Sequence, residues 1–482
     1  MRADARLLVL ALLPGVACGP ARVLTRPEGN GGWSAARRRD ELERRATAAA
    51  VALDPEAPPP GPDDADAPLS LGQALALATA GNRRIAEAER GVDAAAARVR
   101  DARGRLLPAT AGSGRYTWYT DPLSNNVDLP TGDRFSFVIR QQQSGRVNAT
   151  TLVPLDVTGQ IWKTLGAAQA GYRGERARAW ATTLMQKVAV IRAYFDLLEA
   201  ERLRGVVEEN IALDREQLAN AERKYDAGRL TRNELLVVQV SLQDREQELR
   251  RRHLAIDRAR RSLNESVGRP VDASTRVVDV EARPDLPAVA TALRDAFANN
   301  PVLTSLLEEQ QRLEDTTSAL ARSRLPRLEG GGAVDWTSER ILTPQTIGSG
   351  FVGFAWDLGT DGRRAAQQAE ARIQADRNRL AIERELRELE SAVRDTRDAA
   401  AERLDALDTA RAAVGQAEEN LRIRRQQFDA GRATSEDVLD AQALLTRQRA
   451  TLAVALYQAH TRRAELQELM GLPLEALAAV TR

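Results

Sequence analysis

The spacing of hydrophobic and polar positions changes twice within each half of the chain. From Leu71 to Arg105 and from Ala288 to Arg324, apolar residues recur at helical spacing, predicting one helix of about 35 residues in each stretch. Pro108 and Pro326 close these stretches, and the pattern then becomes short and two-periodic. Strands are predicted over 112–120, 147–155, Ala333 to Arg340 and Ile347 to Leu358. Gly112, Gly114, Tyr116 and Trp118 alternate with Ser113, Arg115 and Thr117, while Val352, Phe354 and Trp356 share a face. Lengths of about 9–11 residues suit membrane strands, and aromatic residues gather in these segments as interfacial anchoring requires. A soluble β-hairpin satisfies the same pattern. Next come Gln160 to Lys224 and Arg363 to Gln427, which lack proline and hold few glycines. Each predicts a helix about 100 Å long, against an ordinary mean of about 11–12 residues. A glycine turn and a return helix follow in each half, Thr231 to Val267 and Thr434 to Met470. The result is two long antiparallel hairpins with coiled-coil-like packing. No strict seven-residue repeat runs their full length, so the supercoil sense stays open.

The two halves are copies. Ala74, Leu75, Ala78, Asn82 and Ile85 match Ala292, Leu293, Ala296, Asn300 and Leu303. Tyr225-Asp-Ala-Gly228-Arg-x-Thr231 matches Phe428-Asp-Ala-Gly431-Arg-x-Thr434, and Leu263, Gly268 and Pro270 match Leu466, Gly471 and Pro473. The spacing implies an insertion of about 15 residues in copy one, between Pro108 and Gly159. Repeat one is expected over 69–275 and repeat two over 287–478, each ordered as helix, two strands and long helical hairpin.

Four strands cannot close a barrel, since about eight are needed to fill even a small interior. An open sheet in lipid leaves backbone groups unpaired at several kcal/mol each. Strands of this kind in a membrane therefore require several chains to share one barrel, and three copies supply twelve.

At the N-terminus, Arg2 and Arg6 precede the apolar run Leu7 to Ala17, the form of an export signal over residues 1–17. Cys18, the chain's one cysteine, follows Leu13-Pro-Gly-Val-Ala17, which resembles a lipobox except at Gly15. Lipidation at Cys18 and an ordinary signal with a chance cysteine are both open. Residues 18–68 read as a tether, and the prolines of Asp54 to Pro62 exclude helix and central strand.

Composition removes most other functions. Lys+Arg 69 against Asp+Glu 68 gives a net charge of +1, without the basic surplus of a nucleic-acid binder. A His/Cys metal site needs three or four ligands close together, which His253 and His460 cannot supply without help from carboxylates, and no phosphate-loop or nucleophile-elbow pattern is present. No cofactor and no enzymatic activity are expected.

In combination these segments resemble the bacterial outer membrane efflux (TolC) family. The resemblance spans Leu69 to about Leu474 and rests on ordered pieces in both copies. They include Leu69-Ser-Leu-Gly-Gln-Ala-Leu-x-x-Ala, Leu107-Pro108, Pro154-Leu-Asp-Val-Thr-Gly159 and Tyr194-Phe195-Asp-Leu-Leu. The most specific is Phe428-Asp-Ala-Gly431-Arg-x-Thr434-x-x-Asp437-Val-Leu-Asp440-Ala-Gln442. The resemblance implies a mainly α fold with a membrane β part and a two-fold internal repeat. It implies a homotrimer, with four strands per chain in a twelve-stranded β-barrel that continues into an α-barrel. It further implies a passive exit duct in the outer membrane of a Gram-negative bacterium, projecting into the periplasm. Its partners would be a periplasmic adaptor (membrane fusion) protein and an inner-membrane pump, in tripartite efflux or type I secretion.

Two sets of site residues follow. Gly228 and Gly431 suit helix ends, and Thr231 and Thr434 suit N-caps, with Glu234 and Asp437 completing capping boxes. The resemblance places adaptor docking at these tips: Gly228, Leu230, Thr231, Gly431, Ala433, Thr434 and Ser435. It also places acidic residues at a narrow periplasmic mouth, where Asp437 and Asp440 match and Glu234 is the copy-one counterpart. Spaced three apart, Asp437 and Asp440 share a helical face, as pore lining or as solvated acids. Phe428 stands where the family can use a tyrosine. His253 and His460 read as helix-surface or packing residues. The competing function is a lipid-anchored periplasmic coiled-coil scaffold or adhesin without channel activity.

Overall fold

The computed structural model describes residues 68–128, 130–132, 134–228, 231–339, 344–356, 361–430 and 432–480. The expected signal peptide, Cys18 and nearly all of the tether lie outside them, as do Leu230 and Gly431. The elements in chain order are α1 (Leu71–Gly81), α2 (Arg83–Gly104), β1 (Ala109–Trp118), β2 (Leu123–Asp128), β3 (Arg134–Arg140), β4 (Gln143–Leu155), α3 (Gln160–Asp226) and α4 (Arg232–Val267). Then follow α5 (Val289–Asn299), α6 (Pro301–Arg322), β5 (Arg327–Thr337), β6 (Thr346–Ala355), α7 (Asp361–Asp429), α8 (Ser435–Leu469) and α9 (Glu475–Val480).

The long helices stand as expected, with 67 residues in α3 and 69 in α7. The leading helices do not. Each expected 35-residue helix is broken by an asparagine, Asn82 in copy one and Asn300 in copy two. Asn82 (φ −77°, ψ 120°) ends α1 and caps α2, accepting from Arg84 N at 2.9 Å. Asn300 does the same for α6, accepting from Val302 N at 2.9 Å and Leu303 N at 3.0 Å. Both asparagines also donate to the end of a return helix, Asn82 to Ser266 O and Asn300 to Leu469 O. The Asn300-Pro301 pair carries the local reason: a residue before proline avoids helical geometry, and proline favours the first helical position.

At the same level the return helices close on the breaks. Gly268 has φ +78°, and a Cβ there would stand 2.9 Å from Gly81 O. Gly471 has φ +68°, and a Cβ there would overlap the Asn299 carbonyl. In both copies glycine provides a left-handed helix end and a backbone-to-backbone approach that a side chain would block. Around this waist lies the main core, with Leu75, Tyr194, Phe195, Leu263, Tyr457 and Leu474 all buried. The Tyr194 hydroxyl lies 2.7 Å from Val278 O and 3.1 Å from Leu69 O, and accepts from Val278 N. It thereby holds the parallel bridge Leu69–Val277 against α3. Phe195 stacks on His460 at 4.9 Å. His460 is buried, with its Nε2 2.8 Å from Ala282 O, and burial lowers its pKa. It is a packing residue, and His253 is exposed on α4.

The four expected strands form one antiparallel sheet of order β1-β4-β5-β6. The copy-one insertion appears as a further hairpin, β2-β3, that the sequence reading did not anticipate. Register sorts the main sheet into two faces. Tyr116, Val147, Val334, Trp336, Val352 and Phe354 fall on one, and Gly145 leaves room for the rings of Tyr116 and Trp336. Arg115, Arg146, Asn148, Asp335 and Ser349 fall on the other, where Asn148 donates to Asp335 at 2.7 Å. The apolar face is open to its surroundings, with Phe354 70% and Val352 79% exposed.

Candidate functional site at the helical tips

The ends of the hairpins most distant in sequence from the strands are built by local rules. α3 stops at Ala227, and Gly228 follows at φ +69° with its N–H donating to Tyr225 O at 2.9 Å. Thr231 starts α4, its hydroxyl accepting from Glu234 N at 3.3 Å while Glu234 accepts from Thr231 N at 2.8 Å. Copy two repeats the device: Thr434 accepts from Asp437 N at 3.2 Å and Asp437 accepts from Thr434 N at 2.8 Å. Arg432 N donates to Gln427 O at 2.7 Å, closing the end of α7. Each capping carboxylate receives a second bond from its threonine hydroxyl. The Thr231 and Thr434 backbone N–H groups hold Glu234 and Asp437 below the ordinary carboxylate range, and Arg424, 3.9 Å from Asp437, adds to this weakly.

Asp437 is thus engaged by its cap, whereas Asp440, one turn further along α8, is exposed. Ala433 is half-buried; Gly228, Thr231 and Thr434 are exposed. Ser435 opens α8. The two tips are neighbours within one chain. Lys224 lies 3.5 Å over the Phe428 ring, and a cleft between them is lined by Leu213, Val238 and Val438. Behind the tip of copy two, Val438, Ala441 and Leu445 of α8 pack on Ala417 and Leu421 of α7.

The sequence reading missed the groups that tie one hairpin to the other. Gln442 of α8 donates to buried Asp214 of α3 at 3.1 Å. Arg449 of α8 reaches Glu209 of α3 at 2.7 Å and Glu418 of α7 at 2.9 Å. Gln442 and Asp214, and Arg449 and Glu209, lie in different halves of the chain, so no local periodicity announces them. A polar residue recurring in an apolar seam was the available signal. Among the described residues no cluster of His, Cys, Asp and Glu has the form of a metal site.

Comparison with known proteins agrees with this architecture. Among curated protein sequences, none matches this chain. The fold is similar to the outer membrane protein VceC from Vibrio cholerae, at 16% identity and TM-score 0.69, covering 83% of this chain and 96% of that one. It is similar to the Campylobacter jejuni CmeC outer membrane channel, at 16% identity and TM-score 0.68, covering 83% and 85%. It also resembles the open state of the Neisseria gonorrhoeae MtrE outer membrane channel, at 18% identity and TM-score 0.65, covering 84% and 89%. The family profile described as outer membrane efflux protein matches residues 74–269 and 292–472, most of both copies. The chain therefore belongs to the outer membrane efflux protein family and is a protein of the outer membrane.

Proposed function

We propose that the protein is the passive exit duct of a tripartite efflux or type I secretion system, working as a homotrimer and performing no chemistry of its own. One observation carries this: an open four-stranded sheet with an apolar face is built into the same chain as helices about 100 Å long. The sheet ends in β1 and β6, whose outer edges pair with no strand among the described residues. Such edges in lipid demand partners. Three chains joining β6 to β1 supply twelve strands, with the apolar face toward lipid and the Arg115–Asp335 face toward the lumen. The helices then continue the wall through the periplasm.

The tips are the docking surface for a periplasmic adaptor, which links the duct to an inner-membrane pump. Exposed Gly228, Thr231 and Thr434, with Gly431, Ala433 and Ser435, offer small side chains for close approach, and Leu230 adds an apolar contact. Asp440 lines the mouth, with Asp437 and Glu234 as its capped neighbours. Cys18 carries the lipid anchor, behind the signal peptide of residues 1–17 and ahead of the tether to residue 68. The repeats over 69–275 and 287–478 each contribute one hairpin to the wall.

Mass measurement in detergent and conductance in planar bilayers test the duct. A trimer with single-channel steps is expected, and a monomer without conductance would overturn the proposal. The double variant Asp437→Ala with Asp440→Ala should raise conductance or weaken block by multivalent cations, mostly through Asp440. Unchanged conductance and block would remove the acidic mouth and leave the duct standing.

A further inference from the structure

The seam of α3 near the tips runs Val206, Asn210, Asp214, Gln217 and Ala221, and three of these five are polar. Asn210 is satisfied locally, its Nδ2 donating to Val206 O at 2.6 Å. Asp214 is not. It is 2% exposed and faces Gln442 of α8, also 2% exposed. Gln442 Nε2 donates to Asp214 Oδ1, which leaves Asp214 Oδ2 and Gln442 Oε1 buried without a hydrogen-bond partner. Arg245 of α4 stands 3.7 Å from Oδ2, within ion-pair range and beyond hydrogen-bonding distance.

Two orphaned acceptors on one contacting pair are costly, and a single proton relieves both. On a neutral carboxyl, Oδ2–H becomes the donor that Gln442 Oε1 lacks, while Gln442 Nε2–H continues to serve Oδ1. We propose that Asp214 is held in this interface as the neutral acid, in a cyclic acid–amide pair with Gln442, forming a proton-dependent clasp between the two hairpins. On ionisation the proton leaves to solvent and Oδ2 turns an acceptor toward the amide oxygen. The carboxylate then goes to Arg245. Gln442 belongs to the second hairpin and Arg245 to the same hairpin as Asp214, so ionisation exchanges an inter-hairpin bond for an intra-hairpin one.

Burial is the first cause that raises the pKa of Asp214, opposed by Arg245 and then by the Gln442 bond. Other nearby charges have partners of their own. On α3, Arg215 is taken by Glu246 of α4 at 3.0 Å, and Glu209 by Arg449 of α8. On α7, Glu418 is held by the same Arg449, and Ala417 and Leu421 are what that helix presents to α8. Asp440 on α8 is exposed. The clasped state binds a proton that the released state gives up. Its stabilisation is complete in acid and is lost as pH rises through the raised pKa of Asp214. Gln442 lies two residues beyond Asp440 on α8, so the clasp positions the acidic mouth. That consequence rests on the duct reading; the clasp itself does not.

The test uses the full assembled protein in detergent, with no transport assay. Infrared spectra of wild type minus Asp214→Asn, taken from about pH 4 to about pH 9, should show a protonated-carboxyl band that disappears at the alkaline end. Amide exchange over 207–221 and 435–450 should be about tenfold faster in wild type than in Asp214→Asn at the alkaline end, and equal in acid. Asn keeps the pair closed at every pH, and Gln442→Leu should exchange fast at every pH. Absence of the band, or parallel exchange profiles in wild type and Asp214→Asn, would overturn the clasp, and loss of conductance alone would not bear on it.

Discussion

The waist of the molecule and its tips are made of the same long helices and are held by different physics. At the waist, backbones touch: Gly268 meets Gly81, and Gly471 meets Asn299. Tyr194, Phe195 and Tyr457 are buried in the same core as Ala78 and Val267. Asn82 and Asn300 each cap one helix and hook another. At the tips the ends are closed by threonine caps, a Lys224–Phe428 contact and a small apolar cluster between α7 and α8. Burial is large and non-negotiable at the waist, since a well-packed core has two arrangements only at high cost. At the tips stability comes from separable polar contacts, each worth little, so the ends can be remodelled without unfolding the hairpin. The proposed duct, anchored as a wall and docked by an adaptor at its far end, would use this division.

The comparison breaks most violently at Gly471. Gly471→Ala places a Cβ against the Asn299 carbonyl at a left-handed φ, and should cost about 3 kcal/mol or more. Denaturant unfolding should show it, and a change near zero would mean the waist is looser than described. Next comes Tyr194→Phe, which leaves the Leu69 and Val278 backbone groups without the hydroxyl. A loss of about 1–3 kcal/mol is expected in the same assay. Thr434→Ala should cost about 1 kcal/mol, with faster amide exchange confined to the start of α8 and no change at the waist. If protection fell at Asn300 as well, tip and waist would be one cooperative unit.

The smallest effect is a pH dependence. Glu234 and Asp437 have lowered pKa values, so their caps are fully in place above the ordinary carboxylate range and weaken as pH falls through the lowered values. Protection factors at 231–235 and 434–438, taken relative to the unstructured exchange rate at each pH, should therefore fall in acid, where the Asp214 clasp tightens. Caps that hold equally well in acid would remove this contrast.

How much of this was legible in the sequence varies by element. The tips were: Gly228, Thr231 and Glu234 interact within a few residues, so turn and capping rules suffice. The strands were legible because one face had to be apolar, yet their register, which sets Tyr116 beside Gly145 and Asn148 beside Asp335, was not. The breaks at Asn82 and Asn300 were missed although Asn300-Pro301 signals one, because helical periodicity continues on both sides. The β2-β3 hairpin was visible as an insertion in the repeat spacing and not as strands.

Periodicity, prolines and an internal repeat were enough to determine two long hairpins and four strands, and the residue motifs of both copies carried the resemblance to a family. Those properties depend on interactions between near neighbours and on which face of an element must avoid water. The pairing of Asp214 with Gln442, the fit of Gly471 on Asn299 and the sorting of the sheet into two faces were decided only in the tertiary structure. Each brings together residues far apart in the chain, and the energy of such a contact depends on a distance between elements that no local pattern encodes.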